Sequence, residues 1–340
     1  MNPLARRKLG RTNIELTPLG FGGAGLGDLF DVVVDADANA ALQAAWDAGI
    51  RYYDTSPWYG RGQSEHRFGR ALYRRPRGDF VLSTKVGRLF RAYHDAENFE
   101  HGFWRGGLKF QHRFDYSYDG VMRSFEDSLQ RLGLPRIDML LIHDLDIGHH
   151  ITGARVNAYL TETHNGGFRA LVELKQAGLI GGIGAGINEP GMMPRFLDLM
   201  DIDFFLVAMP YTLLDTDVLD HEFPACVARG VGFVIGATFA SGILATGAVP
   251  GARYRYAEAP PEIVARVQKI EAVCASHNVP LPAAALQFPL GHPSVAAVIP
   301  GALLPDHVNR NVAAFRHAIP SEFWTDLKHE GLLRADAPVP

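Results

Sequence analysis

Tyr52-Tyr53-Asp54-Thr55-Ser56-Pro57-Trp58-Tyr59-Gly60 runs from a short apolar segment through an aspartate to a tyrosine five residues later. Two further segments end the same way, on a polar group. Val81-Leu82-Ser83-Thr84-Lys85 closes on a lysine, and Met139-Leu140-Leu141-Ile142-His143 on a histidine. Read as successive strands of a parallel α/β barrel, their C-terminal ends share one face, so Asp54, Tyr59, Lys85 and His143 converge there.

The pattern extends in both directions. Strands are expected at Leu19–Phe21, Tyr52–Asp54, Phe80–Lys85, Met139–His143, Gly182–Gly186, Phe204–Met209, Gly232–Gly236 and Val295–Pro300. Amphipathic segments lie between them at 36–48, 65–72, 120–132, 168–176, 191–199, 218–228 and 261–277, and 305–318 follows the last. Eight strand–helix alternations favour a closed (β/α)₈ TIM barrel over an open sheet. Lys8–Leu16 reads as an N-terminal β-hairpin turning at Arg11–Asn13. Residues 1–340 read as one barrel domain with an irregular tail at about 331–340. Long βα loops follow Lys85 (about 30 residues), His143 and Gly236 (about 20 each), a length that marks functional loops. The first is rich in aromatics and reads as an ordered lid.

With 47% hydrophobic and 21% charged residues and a net charge of −4, the chain reads as an ordinary soluble globular protein with no nucleic-acid or membrane partner. The basic start, Met1–Lys8, is followed by no apolar stretch, so no secretory signal is expected. Cys226 and Cys274 read as buried thiols of a reducing, cytoplasmic compartment.

A phenol is a poor base alone, and a nearby cation lowers its pKa. Lys85 would supply that cation with Asp54 holding it, and His143 would orient the reacting oxygen. Tyr59 would then take a hydroxyl proton in oxidation, or give one in reduction, while a cofactor carries the hydride. Taken singly, each residue has a plainer reading: Asp54 a helix N-cap, Tyr59 a packing residue, Lys85 a surface charge. His143, Asp144, Asp146, His149 and His150 could suggest a metal. Barrel metal sites draw ligands from several strand ends, though, and none is expected here.

On these residues the chain resembles the aldo-keto reductase superfamily, whose tetrad falls on Asp54, Tyr59, Lys85 and His143. Gly10-Arg11-Thr12, Arg131–Leu134 and Pro300-Gly301-Ala302 are further family-like stretches. Ser83–Arg88, Asp115-Tyr116-Ser117, His143–Asp146 and Tyr211–Asp215 look like the aldose 1-dehydrogenase subgroup, which spans D-threo-aldose, L-fucose and pyridoxal 4-dehydrogenases.

The resemblance implies a nicotinamide cofactor. Its contacts would be Gly22, Gly23, Asn188, Tyr211, Ser241, Gly242, Leu244, Gly301, His307 and Asn311. Where many relatives clamp the 2′-phosphate of NADP with cations, this chain has Gly301, Ala302 and His307, so NAD is preferred and NADP is the alternative. Trp58, Trp104, His112, Asp144 and Tyr254 would meet a small-molecule substrate. The leading reading is oxidation of an aldose lactol to its lactone. Alternatives are a pyridoxal 4-dehydrogenase, an NADPH-dependent carbonyl reductase, and a non-catalytic nucleotide-sensing subunit.

Overall fold

The computed structural model describes residues 5–340; Met1–Leu4, half of the basic stretch read above, lie outside the described residues. Eight parallel strands follow one another around the barrel: β1 (Phe21–Gly22), β2 (Tyr52–Asp54), β3 (Val81–Val86), β4 (Met139–Ile142), β5 (Gly182–Ile187), β6 (Phe204–Ala208), β7 (Gly232–Gly236) and β8 (Val295–Val298). Parallel bridges Leu19–Val298 and Gly22–Gly301 join the first strand to the last. The expected (β/α)₈ order is therefore the observed one.

Alternation along each strand divides the core. Met139 and Leu141 join Tyr52, Phe204, Leu206, Val234 and Ile299 inside the barrel, whereas Leu140 and Ile142 pack outward with the helices. Burial on both faces is why these strands read as unbroken apolar runs. The N-terminal hairpin, Arg7–Lys8 paired with Glu15–Leu16, adds Leu9 and Leu16 to the inner cluster and stoppers the end away from the site.

The long loops carry structure that periodicity did not show. An antiparallel hairpin, Arg88–Ala92 with Phe110–Phe114, follows β3. After β4 come short helices at Ile147–His150 and Gly153–Glu162, the latter continuing through a π-turn into Phe168–Gln176. A small hairpin, Arg253–Tyr254 with Ala257–Glu258, follows β7. Helix Ser321–His329 precedes residues 331–340, which form neither helix nor strand. Among the described residues no helix is long and apolar enough to cross a membrane.

One buried cation fixes the loop after β1. Arg67 donates to the carbonyls of Leu26 (2.8 Å) and Val33 (2.7 Å) and to Asp28 (2.6 Å) and Asp35 (2.9 Å). Four of its five donors are thereby used, and the glycine-rich stretch beside the site is held in one shape.

Candidate active site

All four strand-end residues arrive at one place. Lys85 donates to Asp54 Oδ2 (2.8 Å) and to the Thr55 carbonyl (2.8 Å), and Ser83 Oγ donates to Asp54 Oδ1 (2.6 Å). The ammonium lies 4.7 Å from the centroid of the Tyr59 ring, and the His143 ring lies 5.8 Å from it. Asp54 and Lys85 are each 1% exposed, whereas Tyr59 is half-buried and opens to the cleft.

Electrostatics here depart from the sequence expectation. Burial, reinforced by Asp54 and Asp144, holds the Tyr59 phenol well above its ordinary pKa. Lys85 spends its hydrogen bonds on Asp54 and Thr55, so the expected lowering by a directly bonded cation is not found. Burial also raises Asp54 despite Lys85 opposing it. Burial drives His143 well below its ordinary value, so it is neutral at physiological pH. As the protein stands, Tyr59 is a proton donor and His143 an uncharged hydrogen-bonding group.

A cleft of about 330 Å³ runs from Asp54 and Tyr59 across the open ends of β1, β6, β7 and β8. Gly22, Gly23, Ser241, Gly242 and Gly301 line it, as expected, together with Phe30, Phe239 and Tyr256. Ala237, Ala240, Ser241 and Gly242 all have positive φ (51°, 47°, 65° and 116°), so the chain is tightly wound where it lines the cleft, with the Ala240 and Gly242 amides donating to the Ala237 and Phe239 carbonyls. A lining of small and apolar residues with flanking aromatic rings fits a nicotinamide dinucleotide.

The glycine-rich run has a different explanation from the one its sequence suggested. A Cβ on Gly23 would meet the Asp54 carbonyl at 2.7 Å, and one on Gly27 the Tyr59 carbonyl carbon at 2.5 Å. These glycines bring the protein's own backbone together, Gly23 against the end of β2 and Gly27 against the Tyr59 loop.

Several expected contacts lie elsewhere. Tyr211 is fully buried between Phe223 and Phe288, away from the cleft. The Leu244 side chain is in the core and its N–H donates to the Phe239 carbonyl, as does that of Gly242. Tyr254 turns away to donate to Asp215 (2.6 Å), and its neighbour Tyr256 faces the cleft instead. Asn188 donates to Asp144 and Asp146 (both 2.9 Å), which occupies both amide hydrogens. Asp144 also accepts from Arg88 (2.8 Å), so it is not free for a substrate. His307 accepts from the Leu303 N–H (3.3 Å), and Asn311 donates to the Gly301 carbonyl (3.3 Å), at the cleft's far end.

Trp58, Trp104 and His112 do gather beside Tyr59. Trp58 lies 4.4 Å from His112 and 6.0 Å from Trp104, and Trp104 lies 5.8 Å from Tyr59. Sequence reasoning gave no role to Arg88, which bonds both His143 and Asp144, nor to Phe30. The signal for Arg88 was the glycine before it, where the chain leaves β3. Among the described residues, Asp144, Asp146 and His149 are the one carboxylate–histidine group close enough to share an ion, and Arg88 and Asn188 already engage the carboxylates.

The buried imidazoles make stability pH-dependent. Burial lowers His112 and His150 to about 4 and holds His143 well below its ordinary value. Their folded values lie below the unfolded value near 6.5, so their contribution is complete above about pH 6.5 and is lost as pH falls toward 4. Each can contribute a slope of up to about 1.4 kcal/mol per pH unit. His149, which Asp146 raises against the effect of burial, partly offsets them. Denaturant unfolding should therefore show clearly lower stability near pH 5 than near pH 7; equal stability would show that these rings are solvated.

A model of the aldo/keto reductase family matches residues 18–329. The chain is 45% identical to a pyridoxal 4-dehydrogenase of Microbacterium luteolum over 337 residues, covering 96% of this chain and 98% of that one. It is 37% identical to a D-threo-aldose 1-dehydrogenase of a Pseudomonas species over 328 residues, covering 94% and 95%. An aldo-keto reductase of Bacillus halodurans, solved in its holo form, superimposes with a TM-score of 0.74 at 26% identity, covering 98% of both chains. With the tetrad assembled at the strand ends and relatives matched along nearly the full length, the chain belongs to the aldo/keto reductase family of oxidoreductases.

Proposed function

We propose that this oxidoreductase is an NAD-dependent dehydrogenase of cyclic hemiacetals, converting a ring hydroxyl to a lactone, with a flat, pyridoxal-like ring as its preferred substrate. The observation that carries this reading is the aromatic cluster beside Tyr59, in which Trp58 and His112 are partly exposed and the buried Trp104 backs them. Aromatic faces suit a planar ring. The polar groups that would recognise a polyol are engaged within the protein: Asp144 by Arg88 and Asn188, Asp146 by Asn188 and His149. An aldose lactol presents the same reacting hydroxyl, so it is the second reading, favoured by the likeness to the aldose dehydrogenase.

The residues divide the work. His143 donates a hydrogen bond that fixes the substrate oxygen, and Tyr59 exchanges a proton with that oxygen. Lys85, anchored on Asp54, places positive charge at the face of the phenol ring and favours its ionised form during turnover. The bound dinucleotide supplies the hydride acceptor. Gly22, Gly301 and the Ala237–Gly242 loop would hold it. At the position of a 2′-phosphate clamp, Gly301 has no side chain and Arg310 pairs with Asp306 (2.7 Å), which supports NAD over NADP.

The test is NADH or NADPH formation with pyridoxal, L-fucose, D-arabinose and L-galactose as substrates. The expected result is turnover with NAD, fastest on pyridoxal. A tenfold preference for NADP would overturn the cofactor assignment. Turnover confined to open-chain carbonyl reduction would overturn the hemiacetal assignment, and tight cofactor binding without turnover would point to a sensing subunit.

A further inference from the structure

We propose that Arg88 is a positioning residue that fixes the tautomer of His143, placing the imidazole proton on Nε2, the nitrogen left to meet the substrate oxygen. The guanidinium is 3% exposed and lies between the rings of Trp58 (4.8 Å) and Phe114 (4.7 Å). One terminal nitrogen, Nη1, serves two acceptors: Asp144 Oδ2 at 2.8 Å and His143 Nδ1 at 3.2 Å. Guanidinium can only donate, so an Nδ1 that accepts from it carries no proton. At the opposite nitrogen, Nε2 lies 3.4 Å from Asp144 Oδ1, outside hydrogen-bond geometry, so a proton there is left for the substrate oxygen. The bond from Arg88 to Nδ1 therefore specifies the tautomer.

The surroundings make this arrangement rigid. Gly87, at φ 109°, sends the chain from β3 to Arg88; a Cβ there would strike the Tyr116 ring at 2.2 Å. Tyr116 in turn donates its hydroxyl to the His143 carbonyl (2.7 Å). Asp144, at φ 50°, folds back beneath Arg88, and Asn188 holds it there. The titratable and charged groups facing His143 are Lys85 and Arg88 from β3 and beyond, Tyr59 from the β2 loop, Tyr116, and Asp144 with His149 from its own loop. Ser56 Oγ is the remaining neighbour of Nδ1, at 3.0 Å, and its hydroxyl can donate there as well. Removing Arg88 takes away one of the cations that oppose protonation of His143, leaving Lys85, and keeps Asp144, which favours protonation.

The experiment compares full-length wild type with Arg88→Met and Arg88→Gln by long-range proton–nitrogen NMR of the His143 ring, assigned with His143→Gln. Wild type should show one neutral Nε2–H tautomer from about pH 5.5 to about pH 8, a range in which an ordinary histidine titrates. The variants should show mixed tautomers or a titration within that range. Their pH–rate profile should gain an acid limb, with kcat down about 10- to 100-fold, as expected for losing a charge-assisted hydrogen bond, and cofactor KM unchanged. Arg88→Gln keeps a donor and covers the case in which Arg88→Met does not fold. An unchanged tautomer without titration in a folded variant overturns the proposal, even if activity falls. The catalytic consequence rests on the dehydrogenase reading but the ring signals do not, so failure of either is distinguishable.

Discussion

Replacing Tyr59 by phenylalanine should lower kcat for hemiacetal oxidation by about a thousandfold, in line with removal of a positioned acid–base group. The substitution is structurally mild. The Lys85 ammonium bonds Asp54 and Thr55 and meets the ring of Tyr59 by its face, a contact phenylalanine retains. Folding and cofactor affinity should therefore stay near wild type, and the loss should appear in kcat rather than in cofactor binding. Direction adds a second reading. Burial and the carboxylates of Asp54 and Asp144 keep the phenol protonated above its ordinary range. Oxidation needs its ionised form, so the wild-type rate should climb with pH by up to about tenfold per unit through the neutral range. Reduction needs the protonated form and should be flat there. In the phenylalanine variant the slope should vanish along with the rate. A variant retaining more than a tenth of wild-type activity, or keeping the slope, would show that another group moves the proton.

The barrel was legible in the sequence because its strands are buried on both faces and read as apolar runs, three of which close on a polar residue. Asp54, Lys85 and His143 occupy those ends, which is why three tetrad members could be placed from spacing alone. The hairpin Arg88–Phe114 was not legible. Its strands are partly exposed and mixed in polarity, and their pairing is set by long-range register. Arg88 was hidden for the same reason: its partners, His143 and Asp144, lie 55 and 56 positions away. Tyr211 and Tyr254 were misplaced because a tyrosine after a strand reads the same whether it faces a ligand or the core. Packing against Phe223 and Phe288 decides the first, and Asp215 the second. The glycines from Gly22 to Gly27 showed that close approach was needed, but only the fold shows what approaches: Ile299 at Gly22, Asp54 at Gly23, Leu303 at Gly25 and the Tyr59 loop at Gly27.

Removing one partner of the buried Asp54–Lys85 pair should be the most damaging change to stability. Lys85→Met leaves a carboxylate that is 1% exposed with Ser83 as its remaining donor, a loss of about 3–5 kcal/mol. Asp54→Asn leaves the ammonium with the Thr55 carbonyl and should cost a comparable amount. The double variant should cost about 1–3 kcal/mol less than the sum, because neither charge is then buried alone. The pH dependence identifies the cause. Burial already raises Asp54 above its ordinary value with Lys85 present, and deleting Lys85 raises it further. A carboxyl whose folded pKa lies above its unfolded one stabilises the fold when protonated, and that contribution is lost as pH rises through the folded value. Lys85→Met should therefore be most destabilised, relative to wild type, at neutral and alkaline pH, and the gap should narrow on acidification. Urea unfolding of the four proteins across pH measures this directly. A gap below about 1 kcal/mol at neutral pH, the size of an exposed ion pair, or one that does not change with pH, would show that water reaches Asp54 and that the pair contributes little to the fold.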